Sequence, residues 1–333
     1  MRQPTTVASF AVLCALVAAC GTSGETESAS SNPEVEAGSP YPLTVTNCGV
    51  DVTFEAEPER MMLLKSAAVP YLQELGVLDD VVARAGLYPE EYYDEATNAA
   101  LAEIPLLTDQ TDTGGHLQIS KEVVIAQEPD LVLGEVENLN RDTLSAVGIP
   151  LLEEPGLCPE GIEDPGFDDV YSQMTAYGKV FNREEEAASA VEELKERVGA
   201  VEDTAGSTST RTAAVLYPTV GGGVTYAYGS KSMAAPQLEA AGFENVFADT
   251  NQRVFEVTFE ELLGRDPDVI IMLYTDGDPA KVEEAVTSLP GAGKLTAVRN
   301  GDLMTQLFNF TEPPSPLALE GLERIQERFG GGQ

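Results

Sequence analysis

Residues able to do covalent or metal chemistry are few and scattered in this chain of 333. His116 is the single histidine and follows a Gly-Gly turn. A lone histidine is more often solvated than a ligand. A zinc or manganese site needs several histidine and carboxylate ligands together, which argues against a carrier of free metal ions. The chain has no Gly-x-Ser-x-Gly elbow and no His-Glu-x-x-His pair, and Gly221-Gly222-Gly223 lacks the Gly-Lys-Ser/Thr of a phosphate-binding loop. Nucleophilic catalysis needs a nucleophile beside a base, and those parts are missing. An envelope glycoside hydrolase, which needs only two carboxylates, is the enzymatic alternative left by 56 acidic residues. What remains is binding chemistry. The chain has 19 bases and a formal charge of −37, with no basic stripe to neutralise a phosphate backbone, so nucleic acid is excluded as a partner. The acid excess describes a solvated surface first and a preference for neutral or cationic ligands second. Among so few bases, Lys65 and Arg253 stand in loops between regular elements. A planar guanidinium there can grip an oxygen-rich ligand with several N–H groups at once.

The elements that must carry these groups repeat. Segment 120–133, Ser-Lys-Glu-Val-Val-Ile-Ala-Gln-Glu-Pro-Asp-Leu-Val-Leu, aligns without gaps on 258–271, Thr-Phe-Glu-Glu-Leu-Leu-Gly-Arg-Asp-Pro-Asp-Val-Ile-Ile. Each copy opens with a hydroxyl N-cap, runs a short helix, breaks at Pro-Asp and enters a leucine-rich or β-branched strand. A weaker echo pairs 71–76 with 237–242, helices that end in glycine. Residues 61–64 and 81–85 read as buried strands, with Ser66 capping the helix between them, and 43–54 reads as strand, turn, strand.

The fold class is therefore α/β, with two similar α/β lobes, 41–167 and 205–333, and largely parallel sheets. A helical connector, 168–204, joins them. Within it Asn182 caps a second helix, 183–204, and Glu185 completes a capping box. At 1.5 Å per residue that helix is about 33 Å long, enough to bridge the lobes. One stiff helix permits slight rocking and not wide closure. The ligand cleft then lies between the lobes, where the strand-end loops 65–67, 86–93, 134–140, 218–233, 251–255, 274–277 and 307–310 converge. Tyr88, Tyr92, Tyr93, Tyr217, Tyr226, Tyr228 and Tyr274 fall in these loops or at their edges, with Tyr71 behind Lys65 and Phe308 in the last loop. Aromatic walls with hydrogen-bonding tips suit a large, partly apolar ligand. The plainer alternative is that tyrosine ends strands because it packs and reaches water. For Arg253 the plainer alternative is a surface salt bridge with Glu256 or Asp249.

The N-terminus reads as a signal. Arg2 precedes an apolar run of 13 residues from Val7 to Ala19, too short for a bilayer, which takes about 20. Val17-Ala18-Ala19-Cys20 resembles the lipobox of bacterial lipoproteins, with 1–19 cleaved and Cys20 acylated. An ordinary signal peptide with a chance cysteine is the alternative. Residues 20–40 are polar and read as a disordered tether. Cys48 and Cys158 are then the remaining thiols of the mature chain. In an oxidising compartment they suggest one disulfide; two separate buried thiols is the other reading.

Lipobox, tether, two α/β lobes and one bridging helix together resemble the Fe/B12 periplasmic-binding family over about 41–329. The resemblance is carried by 126–134 and 265–273, by Ser232-Met233 through Ala241-Gly242-Phe243-Glu244-Asn245-Val246-Phe247-Ala248-Asp249, and by 253–261. The opening Tyr41-Pro-Leu-Thr-Val-Thr-Asn-Cys48-Gly49 looks like the actinobacterial ferric-siderophore branch. This implies a monomeric, lipid-anchored receptor on the outer face of the membrane, without catalytic residues or resident cofactor. It would deliver a ferric siderophore to an ABC importer permease of the FecCD type. Haem, with a tyrosinate as axial ligand, and cobalamin are the alternatives within the fold; the absence of tryptophan weakens the second. A ferric chelate exposes hydroxamate, catecholate or carboxylate oxygens. Arg253 would reach them from the C-terminal lobe, and Lys65 with the Tyr88, Tyr92 and Tyr93 loop from the N-terminal lobe. The family commonly docks on its permease through one glutamate per lobe. Pro70 and Pro236 occupy those places here, and Glu74 and Glu239, one turn on, are the substitutes.

Overall fold

The structure is a computed structural model that describes residues 39–112, 116–205 and 211–330. The expected signal peptide, Cys20 and the tether up to residue 38 lie outside the described residues. A hairpin comes first, β1 (Leu43–Asn47) and β2 (Val50–Phe54), paired antiparallel. The N-terminal lobe follows as β3 (Met61–Leu63), α1 (Val69–Glu74), β4 (Val81–Arg84), α2 (Glu95–Glu103), α3 (Lys121–Ile125), β5 (Leu131–Leu133), α4 (Arg141–Ser145) and β6 (Leu151–Leu152). Its strands pair in parallel in the order β4-β3-β5-β6. The connector is α5 (Phe167–Val180) and α6 (Glu184–Ala205). The C-terminal lobe contains β7 (Thr212–Pro218), β8 (Thr225–Tyr228), α7 (Ala234–Ala240), β9 (Glu244–Asn245), β10 (Val254–Val257) and α8 (Phe259–Arg265). It closes with β11 (Val269–Tyr274), α9 (Pro279–Thr287), α10 (Thr296–Asn300), β12 (Leu303–Leu307) and α11 (Pro316–Phe329). Here the order is β10-β8-β7-β11-β12, with β9 also on β7. Strands β7, β11 and β12 are parallel, whereas β8 runs antiparallel to both its neighbours, β7 and β10. The second lobe thus departs from a parallel sheet because Gly221, Gly222 and Gly223, all at positive φ, turn β7 straight back into β8.

The repeat is one local device used twice. Ser120 and Thr258 accept hydrogen bonds from the amides of Val123 and Glu261 and cap α3 and α8. Glu128 (φ 50°) and Asp266 (φ 41°), at equivalent positions, turn the chain out of each helix. The Pro-Asp pair then sets the next strand. Asp130 accepts from the amides of Glu59 (2.8 Å) and Arg60 (2.9 Å) just before β3, and Asp268 from the amide of Thr212 (2.9 Å) at the start of β7.

Two expected caps are corrected. Ser66 makes no cap bond; it opens a 3-10 turn, Ser66–Ala68, ahead of α1, and its hydroxyl instead accepts from Asn309 Nδ2 at 3.0 Å. Asn182 ends α5 where a cap to α6 was expected. It sits at φ 51°, its amide bonds Lys179 O (3.3 Å) and the Arg183 amide bonds Gly178 O (2.7 Å). This is the helix-ending arrangement in which asparagine tolerates the left-handed position.

Side chains alternate along the strands between two environments. Met61, Leu63, Leu131 and Leu133 of one sheet, and Ala213, Val215, Val269 and Ile271 of the other, belong to one apolar layer. Tyr71, Tyr177 and Phe181 fill it, together with Val191, Leu194 and Val198 of α6. Met62 and Val132, and Ala214 and Ile270, face two separate outer cores. Helix α6 packs against α1 of the N-terminal lobe and against α7 and α11 of the C-terminal lobe. Pulling the lobes widely apart would expose this shared layer, at about 25 cal/mol for each Å².

Candidate ligand-binding cleft

Parallel strands in each lobe end at a common cavity of about 620 Å³. Lys65 follows β3, Glu135 and Glu137 follow β5 and Glu153 follows β6, all lining the cavity from the N-terminal lobe. Arg253 precedes β10, Thr275 follows β11, and Phe308 and Asn309 follow β12, lining it from the C-terminal lobe. Leu64, Leu87, Leu117 and Leu157 make the surface between them largely apolar. The Lys65 stem lies across Gly134, where an added Cβ would stand 2.9 Å from Lys65 Cγ. Asn309 crosses the floor of the cleft: its side chain reaches Ser66, and its amide donates to the Tyr92 hydroxyl at 2.9 Å.

Each cation is backed by a buried carboxylate. Lys65 Nζ meets Glu153 Oε2 at 2.5 Å, and Arg253 Nη1 meets Glu312 Oε2 at 3.1 Å. Glu153 is held in turn by the amides of Glu135 (2.9 Å) and Glu154 (2.7 Å), while Asn47 Oδ1 accepts its own amide at 2.9 Å. Burial raises the Glu312 carboxyl, and the guanidinium of Arg253 offsets part of that rise. The Arg253 partner is therefore a buried residue in the segment after β12; neither Asp249 nor Glu256 pairs with it. Glu154 is also buried and is pushed up to about 8, first by desolvation and then by Glu153. Its Oε1 accepts from the Tyr177 hydroxyl at 3.1 Å. The disulfide Cys48–Cys158, with Cα atoms 5.3 Å apart, ties the β1–β2 turn to the loop that carries Glu153 and Leu157.

The structure gathers Lys65, Arg253 and Phe308 on the cavity wall, whereas none of the seven expected tyrosines is among its lining residues. Tyr88 donates to Ala85 O (3.2 Å) with the Arg84 guanidinium 5.0 Å from its ring centroid. Tyr93 donates to Ser66 O (2.9 Å), and Tyr92 is buried against Phe310. Tyr217 shares a hydrogen bond with Thr275 Oγ1 (2.8 Å) and packs edge-on against Phe308. Tyr228 is buried, Tyr274 packs beside Leu307 and Phe310, and Tyr226 is exposed on β8. The hydroxyls of Tyr92, Tyr93 and Tyr217 thus bond Asn309, Ser66 and Thr275, all three lining residues. Burial raises the phenols of Tyr88, Tyr92, Tyr93 and Tyr228, so they stay neutral. His116 sits exposed at the rim beside Asp112. Glu74 ends α1 and Glu239 is the penultimate residue of α7, both exposed.

The acids were the residues missed. Glu135 and Glu137 lie in an expected cleft loop, but Glu153 and Glu312 lie outside the expected loops. No sequence signal singles them out: the Glu-Pro dipeptide found at 154–155 and 312–313 also occurs at 57–58 and 128–129.

Residues 63–306 match the model of a family described as periplasmic binding protein. The chain is similar to the crystal structure of an ABC-type Fe3+-hydroxamate transport system from Saccharomonospora viridis, with 59% identity over 87% of this chain and 100% of that one, at a TM-score of 0.83. A cobalamin-binding protein of Halobacterium salinarum is 25% identical over 87% of this chain and 74% of its own length. A periplasmic haem-binding protein of Pseudomonas aeruginosa, 17% identical over 83% of this chain and 94% of that one, shares the fold at a TM-score of 0.66. The chain belongs to the periplasmic binding protein family.

Proposed function

We propose that this protein is the extracytoplasmic, substrate-binding component of an ABC importer and that its cargo is a ferric hydroxamate siderophore. The observation that carries the reading is that Lys65 and Arg253 line one largely apolar cavity from opposite lobes. A hydroxamate chelate wraps iron in a shell of partly charged oxygens under an aliphatic skin. Ammonium and guanidinium groups can donate to those oxygens without displacing them from iron. The likeness to the Fe3+-hydroxamate protein over its whole length supports the same cargo. Haem held by a tyrosinate is disfavoured, since burial raises the phenols of Tyr92 and Tyr93 and their hydroxyls are engaged elsewhere. Binding without turnover suffices for the role. The partner is a permease of the FecCD type, met by a monomer through Glu74 and Glu239, and Cys20 carries the lipid anchor. Cys20→Ala should release the protein from the membrane fraction, and unchanged retention would count against the anchor. For the cargo, Arg253→Ala should weaken binding of a ferric hydroxamate roughly ten- to a hundredfold, about 1.5–3 kcal/mol for a charge-assisted bond, with Arg253→Lys recovering only part. Wild-type affinity in Arg253→Ala would remove Arg253 from the site.

A further inference from the structure

We propose that the cargo is itself a cation, a ferric hydroxamate with a pendant ammonium group, and that the ammonium rests against a negative rim made by Glu135 and Glu137. This rests on the ferric-hydroxamate reading above. The charges around the cavity give the reason. Both lining cations are already matched, Lys65 by Glu153 at 2.5 Å and Arg253 by Glu312 at 3.1 Å. They can lend N–H groups to ligand oxygens, but they bring no net positive charge. Glu135 and Glu137 line the same cavity and form no salt bridge among the described residues. Burial and then Glu153 raise the Glu135 carboxyl, and Arg141 and Lys65 offset part of that rise; the Arg141 guanidinium is itself bonded to Leu151 O (2.6 Å) and Asn47 Oδ1 (2.7 Å) and is not among the lining residues. The site is therefore net negative before any ligand enters, in a chain of formal charge −37.

Ligand chemistry divides cleanly against such a site. Three hydroxamates neutralise ferric iron, so the chelate is uncharged, and a pendant ammonium makes it a cation. Three catecholates leave a trianion, which would face Glu135 and Glu137 with no unmatched cation to receive it; like charges set together disfavour the wrong partner. The whole-chain charge acts in the same sense but is screened beyond about 8 Å at physiological salt, so the rim carboxylates decide locally.

The test uses the mature protein and three probes followed by tyrosine fluorescence: a ferric linear trihydroxamate with a free amine, the same chelate N-acetylated, and a ferric tris-catecholate. Wild type should prefer the amine over the acetylated form by about fivefold at low salt, the range expected of exposed charge pairs, with the preference shrinking as salt is added. In Glu135→Gln/Glu137→Gln protein the ratio of the two affinities should fall to about one, a change that loss of structure alone would not produce. Equal affinity of wild type for the two hydroxamates overturns the inference and leaves the functional reading standing, as does an undiminished ratio in the double variant. Tighter binding of the tris-catecholate than of either hydroxamate overturns both.

Discussion

Replacing Arg253 with alanine removes the partly exposed half of a pair whose other half is buried: the side-chain exposures are 33% for Arg253 and 1% for Glu312. The carboxylate left behind keeps a hydrogen bond from the Met233 amide at 2.9 Å and loses the guanidinium that offsets its burial. Breaking a wholly buried pair costs about 3–5 kcal/mol. Water can enter the space that Arg253 vacates, so the expected loss of folding stability is about 1–3 kcal/mol. Its pH dependence has a definite sign. Burial raises Glu312 above its unfolded value of about 4.3, so its contribution is fully present below that pH and is lost as pH rises through the folded value. Without Arg253 the folded value climbs further and the loss widens. Urea unfolding at a pH close to 4.3 and at a higher pH should therefore show the larger deficit at the higher one. Glu312→Gln in the same background should recover most of the loss at the higher pH. An equal deficit at both pH values, or no recovery with glutamine, would refute the reasoning.

The other predictions concern what holds the cleft in place. A methyl group at Gly229 would collide with the carbonyl oxygens of Thr250 and Gln252, so Gly229→Ala should displace the loop that presents Arg253 and weaken ligand binding about tenfold or more, measured by titration. Reducing Cys48–Cys158 opens a loop of 110 residues and should lower stability by about 3–4 kcal/mol, read from thermal unfolding with and without reductant; an unchanged midpoint would contradict this. Glu154, raised to about 8, contributes stability that is complete below its unfolded pKa and lost as pH climbs to that value. Glu154→Gln should gain on wild type by up to about 1.4 kcal/mol per pH unit across that window, and a pH-independent difference would argue against a buried neutral acid.

The repeat was the most legible feature of the sequence, because Ser120 with Asp130 and Thr258 with Asp268 act on backbone groups close by or at the start of the adjacent strand. Lobe architecture and the disulfide followed from local patterns and from the elimination of other thiols. Caps were less secure, since Ser66 and Asn182 each had a competing use: Ser66 bonds Asn309, 243 residues away, and asparagine fits the left-handed end of a helix as well as the start of one. The cleft loops could be located, yet their side-chain directions could not. Tyr92 and Tyr228 turn inward because a phenol ring gains more from packing than a strand-end position reveals. The partners of Lys65 and Arg253 were hidden for a related reason. Glu153 and Glu312 sit 88 and 59 residues from the cations they match, and nothing in a chain with 56 acids marks those two as buried.

The most direct measurement is a titration of the mature protein with a ferric trihydroxamate, a ferric tris-catecholate, haemin and cobalamin, each followed by quenching of tyrosine fluorescence in a chain that has no tryptophan. Saturable binding of the ferric trihydroxamate, weakened in Arg253→Ala, is the predicted result. Saturation by haemin or cobalamin with no response to the trihydroxamate would contradict the assignment of this cleft to a hydroxamate-wrapped iron.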